Sequence, residues 1–297
     1  MRRAAGRRRV VRMVADGGVN ATMGTGLRAT ANRYYGIALT STKEKFVYRF
    51  DFFLSLFVTL IGMALMVYLW RAIYRAAPAS LGYDLRNLLT YICLGQAFNF
   101  GRIAMAQRRL LFRVNGSLRS GNIVFDLLRP VDYQALQFAE VAGQFVTELV
   151  LINVPAYMVA LLFFGIAPPA SVGAAFGFAL SLLGAFLISF SLDFLLMILA
   201  FWTFGAGGLI YARRALIELF AGSLVPLTLF PDGLRTLALL LPFQGLAYTP
   251  ISIYQGRIVG AAIWGSFLFQ LGWAVALALL TRLVWLRARR RLTIQGG

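Results

Sequence analysis

The chain has 297 residues, 60% of them hydrophobic and only 13% charged, with a mean hydropathy of +0.74. A soluble domain carries about a quarter charged residues, so the composition excludes a soluble globular protein and points to an all-α protein that crosses a membrane several times. The net charge of +18 does not call for nucleic acid in such a chain, because basic residues flanking apolar spans fix topology and meet anionic lipid.

Cys93 is the single cysteine and there is no histidine. An internal disulfide, the usual zinc and haem ligand sets and histidine-based triads are therefore excluded. Residues 1–26 hold Arg2, Arg3, Arg7, Arg8, Arg9 and Arg12 and then a glycine-rich patch, and are expected to be a disordered cytoplasmic tail. The first apolar run begins only at Phe52, too late for a signal peptide. Leu27 to Phe50 combines Tyr35, Leu39, Phe46 and Phe50 with Arg33, Lys43, Lys45 and Arg49. It fits a helix lying in the inner interface, or an extension of the first span by two turns.

The first span, Phe52 to Trp70, carries no charge and approaches the ~20 residues a bilayer requires. The second runs from Leu85 to about Ala106. Asn87, Tyr91, Gly95, Asn99 and Arg102 share one of its faces, which should look inward because polar groups facing lipid are costly. That face serves either interhelical hydrogen bonding or, through Asn87, Tyr91 and Asn99, a substrate path.

Asn115 to Gly143 is a charged island between apolar runs. Gly116 and Gly121 loosen the backbone before it and Pro130 stops a helix after it. A short helix there sets Ile123 with Leu127, and Val124 with Leu128, at i,i+4, flanked by Asp126 and Arg129. This apolar knob either docks on a protein at the membrane surface or lies among lipid headgroups.

The third span is expected at Val146–Phe164, with Pro155 as a kink. The fourth starts near Val172, with Gly173 and Gly177 as a close-packing face; Val172 to Ala212 holds either two spans or, as charge balance with both termini inside favours, one long helix ending near Phe204. The fifth is placed at Arg213–Phe230, with Arg214 and Glu218 spaced to pair. Thr236 to Gly256 is uncharged but broken by Pro242, Gly245 and Pro250, which fits two short re-entrant helices dipping from the outer face. The sixth span is Ile258 to Leu280, ended by Arg282. Six crossings put both Arg-rich termini and most of the 29 basic residues on the cytoplasmic side. The domain scheme is thus the tail 1–26, a transmembrane domain 27–290 and a cytoplasmic C-terminal tail 291–297.

No catalytic cluster is evident. Lys43 and Lys45 are the only lysines, and neither follows a glycine-rich phosphate-binding pattern, so ATP hydrolysis cannot reside in this chain. Asp193 is the one acid deep in an apolar stretch. It is either a proton or cation site or an arginine-paired structural acid near the inner end of the fourth span.

Three stretches together resemble the bacterial type-two class of ABC transporter permease, the ABC-2 family of transporter proteins. Tyr48-Arg49-Phe50-Asp51-Phe52 leads into a span ending Trp70-Arg71-Ala72-Ile73-Tyr74. The island Gly121-Asn122-Ile123-Val124-Phe125-Asp126-Leu127-Leu128-Arg129-Pro130-Val131 is similar to the family's coupling segment. The series Gly222, Pro226, Pro231, Pro242 and Phe243 is similar to the signature before the last span. The long Arg-rich start departs from the pattern.

The resemblance implies six transmembrane helices, an N-terminal interfacial helix, a cytoplasmic coupling helix and outer re-entrant helices. It implies a permease that is not itself an enzyme, paired with a second, homologous or identical permease on two ABC ATPase subunits in the bacterial inner membrane. ATP and Mg would be bound by the partner ATPase, and this chain would hold no cofactor. Gly121, Ile123, Val124, Asp126, Leu127, Leu128, Arg129 and Pro130 would couple to that subunit, and transport would run outward; the aromatic content of 14% points separately to an amphiphilic small molecule as cargo. An ion-coupled secondary transporter using Asp193, or a membrane scaffold that transports nothing, are the other readings.

Overall fold

The computed structural model describes residues 49–76, 84–98, 132–203 and 206–289, and among them all regular structure is helical. The tail 1–26, most of the expected interfacial helix, Asn99, Arg102, the coupling segment 121–130 and the C-terminal tail 291–297 lie outside the described residues.

Helix α1, Arg49–Ala76, forms around the uncharged run 52–70 and holds no proline. Thr59, the polar residue at its centre, turns its hydroxyl onto the Ser55 carbonyl at 2.6 Å, so the apolar surroundings cost it no unpaired donor. The helix has two faces at i,i+4 spacing. Thr59, Met63, Val67 and Trp70 are buried, while Phe53, Phe57, Ile61, Leu65 and Tyr68 are exposed. So large an uncovered apolar stripe belongs against lipid or another chain rather than water. Helix α2, Leu85–Ala97, packs on α1 and is nearly all buried, with Asp84 capping its first turn by accepting from the Arg86 N–H at 3.1 Å.

Helix α3 corrects the expected third span. It runs unbroken from Tyr133 to Phe164, thirteen residues earlier than the predicted start at Val146. Its Asp132 N-cap accepts from the Ala135 N–H at 3.1 Å. Gln137, Glu140, Gln144 and Glu148 depress the local hydropathy, yet their spacing of three and four keeps them on one helical face. Leu136, Ala139, Val141 and Phe145 stay buried beside them. Pro155, which lacks an N–H, is accommodated between two π-helical stretches, Leu149–Asn153 and Ala160–Phe164.

Helix α4, Val172–Thr203, is the single long helix expected and forms the centre of the bundle, with two thirds of its apolar window buried. Phe186, Phe190 and Phe194 mesh with Phe138, Phe145 and Tyr133 of α3 at ring separations from 4.7 to 6.5 Å. Of the predicted glycine face, Gly177 meets Ile263 and Ile253, whereas Gly173 touches no second helix.

Helix α5, Ala206–Phe220, replaces the expected Arg213–Phe230 span. It starts seven residues earlier, and it ends at Phe220 because Gly222 adopts φ +72°, a left-handed conformation that terminates helices, and Pro226 follows. Then come α6, Asp232–Leu240, and α7, Tyr248–Tyr254, joined by a 3₁₀ turn at Pro242–Leu246. These are the two short helices anticipated from the broken run. Pro250 falls in the first turn of α7, where its missing N–H is harmless. Helix α8, Ala261–Arg289, starts three residues later and runs nine further than the predicted sixth span. Among the described residues four helices, α1, α3, α4 and α8, are long and apolar enough to cross a membrane, while α2 and α5 have 13 and 15 residues.

Candidate functional site

The described residues bring together three polar constellations inside an apolar bundle. The first holds the segment between α5 and α8. Tyr91, 1% exposed, donates its hydroxyl to the Gly222 carbonyl at 2.7 Å. One turn along α2, Gly95 lies so close to the Ser223 carbonyl that a Cβ would stand 2.5 Å from its oxygen. Phe220 stacks on Phe243 at 6.1 Å, and the Tyr248 N–H closes onto the Ala221 carbonyl at 3.0 Å. Gln270, fully buried in α8, then joins three elements. Its amide nitrogen donates to the Ser181 carbonyl at 3.1 Å and the Gly245 carbonyl at 2.7 Å, and its oxygen accepts from the Ser181 hydroxyl at 3.1 Å. Gly245 also lies against Ile188, about halfway along α4. The 3₁₀ turn before α7 therefore reaches the middle of the bundle, and its free carbonyl is met there by a side-chain donor, as burial of backbone requires.

The second constellation is an ion pair between α4 and α5. Arg213 donates to the Asp193 carboxylate at 2.8 Å and to the Ser189 hydroxyl at 3.2 Å, and Ser189 in turn donates to Asp193 at 3.3 Å. Both charged side chains are nearly inaccessible. Of the two readings of Asp193, the arrangement matches the arginine-paired acid. Arg214, one residue on, points outward and pairs with Glu218 at 2.6 Å, as its spacing indicated.

The third lies where α3 and α7 end. Tyr254 donates to the Ala167 carbonyl at 2.9 Å. Its one proton is thereby used, so the 2.6 Å contact with Tyr157 has Tyr157 as donor. The Ala167 N–H donates to the Thr90 hydroxyl at 2.8 Å, and Gln255 donates to the Asn87 carbonyl at 2.6 Å. Four separate stretches of chain are thus tied by neutral hydrogen bonds.

The predicted residues divide accordingly. Tyr91, Gly222 and Phe243 meet in the first constellation, Pro226 and Pro242 are buried beside them, and Pro231 is exposed ahead of α6. Tyr91 is consumed in packing, which favours the hydrogen-bonding reading of the α2 face. Asn87 is exposed and engages through its backbone. Gln270, Thr90 and Tyr254 were not anticipated. Gln270 had a signal in the sequence, as the one amide in the uncharged run from Ala261 to Thr281; Thr90 and Tyr254 had none apart from their partners. No group of metal-ligating side chains occurs among the described residues.

No curated protein matches the chain. A family model described as ABC-2 family transporter protein matches residues 60–296, which takes in the bundle from the fourth turn of α1 onward and all three constellations. The chain is therefore a membrane-spanning permease that belongs to the ABC-2 family of transporter proteins.

Proposed function

We propose that the protein is the permease subunit of an ATP-driven exporter, moving an amphiphilic small molecule outward with force supplied by a separate ATPase. The observation that carries this reading is the family match over residues 60–296, which contains the coupling segment as well as the bundle. ABC-2 family permeases generally partner with ATPase subunits, and this chain has no phosphate-binding lysine of its own. In the proposed arrangement α2 and α5 complete six crossings, both termini face the cytoplasm of a bacterial inner membrane, and α6 with α7 re-enters from the outer side. The depth of Gly245 beside Ile188 supports that re-entry. Backbone can lie at membrane depth only where protein satisfies it, and Gln270 supplies that partner.

Coupling is assigned to Gly121 through Pro130. The Ile123, Val124, Leu127 and Leu128 side chains would seat in a groove on the ATPase, oriented by Asp126 and Arg129. ATP and Mg would act in that subunit, and substrate would pass between two permeases. Co-purification of an ATPase with the chain, and efflux from vesicles that requires ATP, tests the reading. Replacing Leu127 and Leu128 together by Glu should abolish ATP-dependent efflux while membrane insertion persists. Normal efflux in that double variant overturns the coupling assignment, and efflux driven by an ion gradient without ATP overturns the exporter reading.

A further inference from the structure

Helices α3 and α8 do not close on each other along their length. They meet through Tyr133 stacked on Trp285 at 5.2 Å, through Gln134, which donates to the Thr281 hydroxyl at 3.4 Å, and through Arg282, which donates to Asp132 at 2.7 Å. Beside that contact they leave a lateral groove of about 550 Å³ floored by α4. Phe138, Leu187, Phe190, Leu271 and Val275 make its walls apolar, and Ala278 keeps it wide.

Its dimensions match one leaflet. The uncharged part of α8 from Ala261 to Thr281 is about 31 Å long at 1.5 Å per residue, the thickness of a hydrocarbon core at about 30 Å. Arg282 therefore stands at the headgroup level. From Arg282 down to Leu271 the groove follows about 16 Å of helix, half that thickness. At its mouth are two opposite charges, Arg282 and Asp132, with side chains 43% and 41% exposed. A guanidinium presents five donors in a planar fork, and a carboxylate offers about four acceptor sites. The Arg282–Asp132 bond uses one of the first through Nη1, while Asp132 also accepts from Ala135. Paired charges of this kind complement a headgroup that itself carries both signs. A phosphate suits the arginine fork, and a primary ammonium suits the carboxylate.

We propose that this groove is a binding site for a bilayer phospholipid with an ethanolamine headgroup, one acyl chain lying between α3 and α8 and the headgroup bridging Arg282 and Asp132. The site depends on the bundle sitting in a membrane and not on the direction or energy source of transport.

The test is native mass spectrometry of the full chain released from detergent, titrated with phosphatidylethanolamine, phosphatidylcholine and phosphatidylglycerol. One phosphatidylethanolamine should be retained per chain, about fivefold more tightly than phosphatidylglycerol, the ratio that one partly exposed ion pair supplies. Asp132→Asn should bring the two lipids close to parity, and Ala278→Phe, which fills the groove, should remove the retained lipid. Equal retention of all three lipids by the unsubstituted chain overturns the headgroup assignment without relying on any variant. Undiminished retention in Ala278→Phe overturns the groove. Val275→Cys supplies the remaining arm, since the native Cys93 is buried. If two copies cross-link through Cys at 275 in membranes, the groove is a permease contact and the lipid proposal fails.

Discussion

The two ends of the bundle are held by different chemistry. Where α3 stops and α7 ends, the contacts join side chains to backbone and most are neutral, with Tyr254 donating to the Ala167 carbonyl, the Ala167 N–H to the Thr90 hydroxyl and Gln255 to the Asn87 carbonyl, while Arg71 adds one charged donor 3.5 Å from the Phe164 carbonyl. Toward the opposite end, where α3 begins, charge pairs and rings dominate, with Arg213 on Asp193, Arg282 on Asp132 and Tyr133 against Trp285, beside one neutral contact from Gln134 to the Thr281 hydroxyl at 3.4 Å. The reason is topological. At the first end the chain leaves its helices through residues 165–171 and 255–260, and loop carbonyls shielded from water need donors. At the second end α4 and α8 continue past the contact with their backbone groups already paired, and the first turn of α3 is capped by Asp132, so side chains do the fastening between helices. Side-chain pairs can be exchanged between helices without stranding a backbone group, whereas the knot of loops has to move as one piece.

The comparison is broken most severely at the buried charges. Asp193→Asn leaves Arg213 without its counter-charge in a nearly inaccessible site, and loss of one member of such a pair costs about 3–5 kcal/mol. The purified variant should show a large fall in thermal midpoint. Replacing both members with apolar residues, Asp193→Leu with Arg213→Met, should recover most of it, because two buried charges gain little over good packing. A single variant that melts with the parent would mean that the pair carries no net weight.

Next in size are the contacts that hold the α5–α8 segment at the centre. Gly95→Val sets a side chain against the Ser223 carbonyl, where backbone cannot yield, and overpacking of this kind costs about 1–3 kcal/mol. Gln270→Leu keeps the volume but leaves the Gly245 carbonyl without its side-chain donor and the Ser181 hydroxyl without its acceptor, at about 1–3 kcal/mol for each buried group left unpaired. Chemical unfolding in detergent measures both. If Gln270→Leu is neutral, lipid or water reaches Gly245 and the turn is not enclosed by protein.

Much of this is legible in the amino-acid sequence. Long apolar runs gave α1, α4 and most of α8, because lipid crossing demands length and apolarity together. The prolines at 242 and 250 gave the short helices, since each removes a donor that a continuous span needs. The start of α3 was not legible from hydropathy, because Gln137, Glu140 and Gln144 lower a windowed average although they occupy a single face. Helical periodicity was the better guide there. The end of α5 was missed for the opposite reason. Leu224, Val225, Leu227 and Leu229 prolong the apolar run past Gly222, and a left-handed glycine carries no hydropathy signal. The pairing of Asp193 with an arginine was readable as a demand for a counter-charge. That Arg213 rather than Arg214 answers it is decided by which face of α5 meets α4. The role of Tyr91 was open for the same reason, since a polar helical face indicates inward without saying what it touches.

A smaller effect separates the two ends by a single hydroxyl. Tyr254→Phe removes the donor to Ala167 and the acceptor for Tyr157 while keeping the ring on Phe178 at 5.4 Å. Loss of such a bond costs about 1 kcal/mol, and because every partner is neutral the deficit should not depend on salt. A deficit that shrinks in concentrated salt would show that the knot leans on a charge.

The smallest effect lies at Asp132, and its dependence on pH gives it away. Burial raises the carboxyl's pKa, but the hydrogen bond from Arg282, the Ala135 N–H, the Arg282 charge and the Gln134 N–H together outweigh it, so Asp132 titrates below the usual aspartate value. A carboxyl with a folded pKa below its unfolded value, about 3.9, contributes stability that is fully present above that value. The contribution is lost as pH falls through the folded pKa. Half-exposed pairs of this kind give about 0.2–1 kcal/mol, and about 1 M salt shortens the screening length to about 3 Å. The thermal midpoint of the unsubstituted chain should therefore fall below about pH 4 with a component that both Asp132→Asn and concentrated salt remove. Asp193 is shut away from solvent and should not follow the same salt dependence, while the deficit of Tyr254→Phe should stay constant from about pH 7 to about pH 4. If Asp132→Asn leaves the acid limb of the curve unchanged, the Arg282 contact is a surface pairing without energetic consequence, and the fastening at that end rests on the Tyr133–Trp285 rings and the buried Asp193–Arg213 pair.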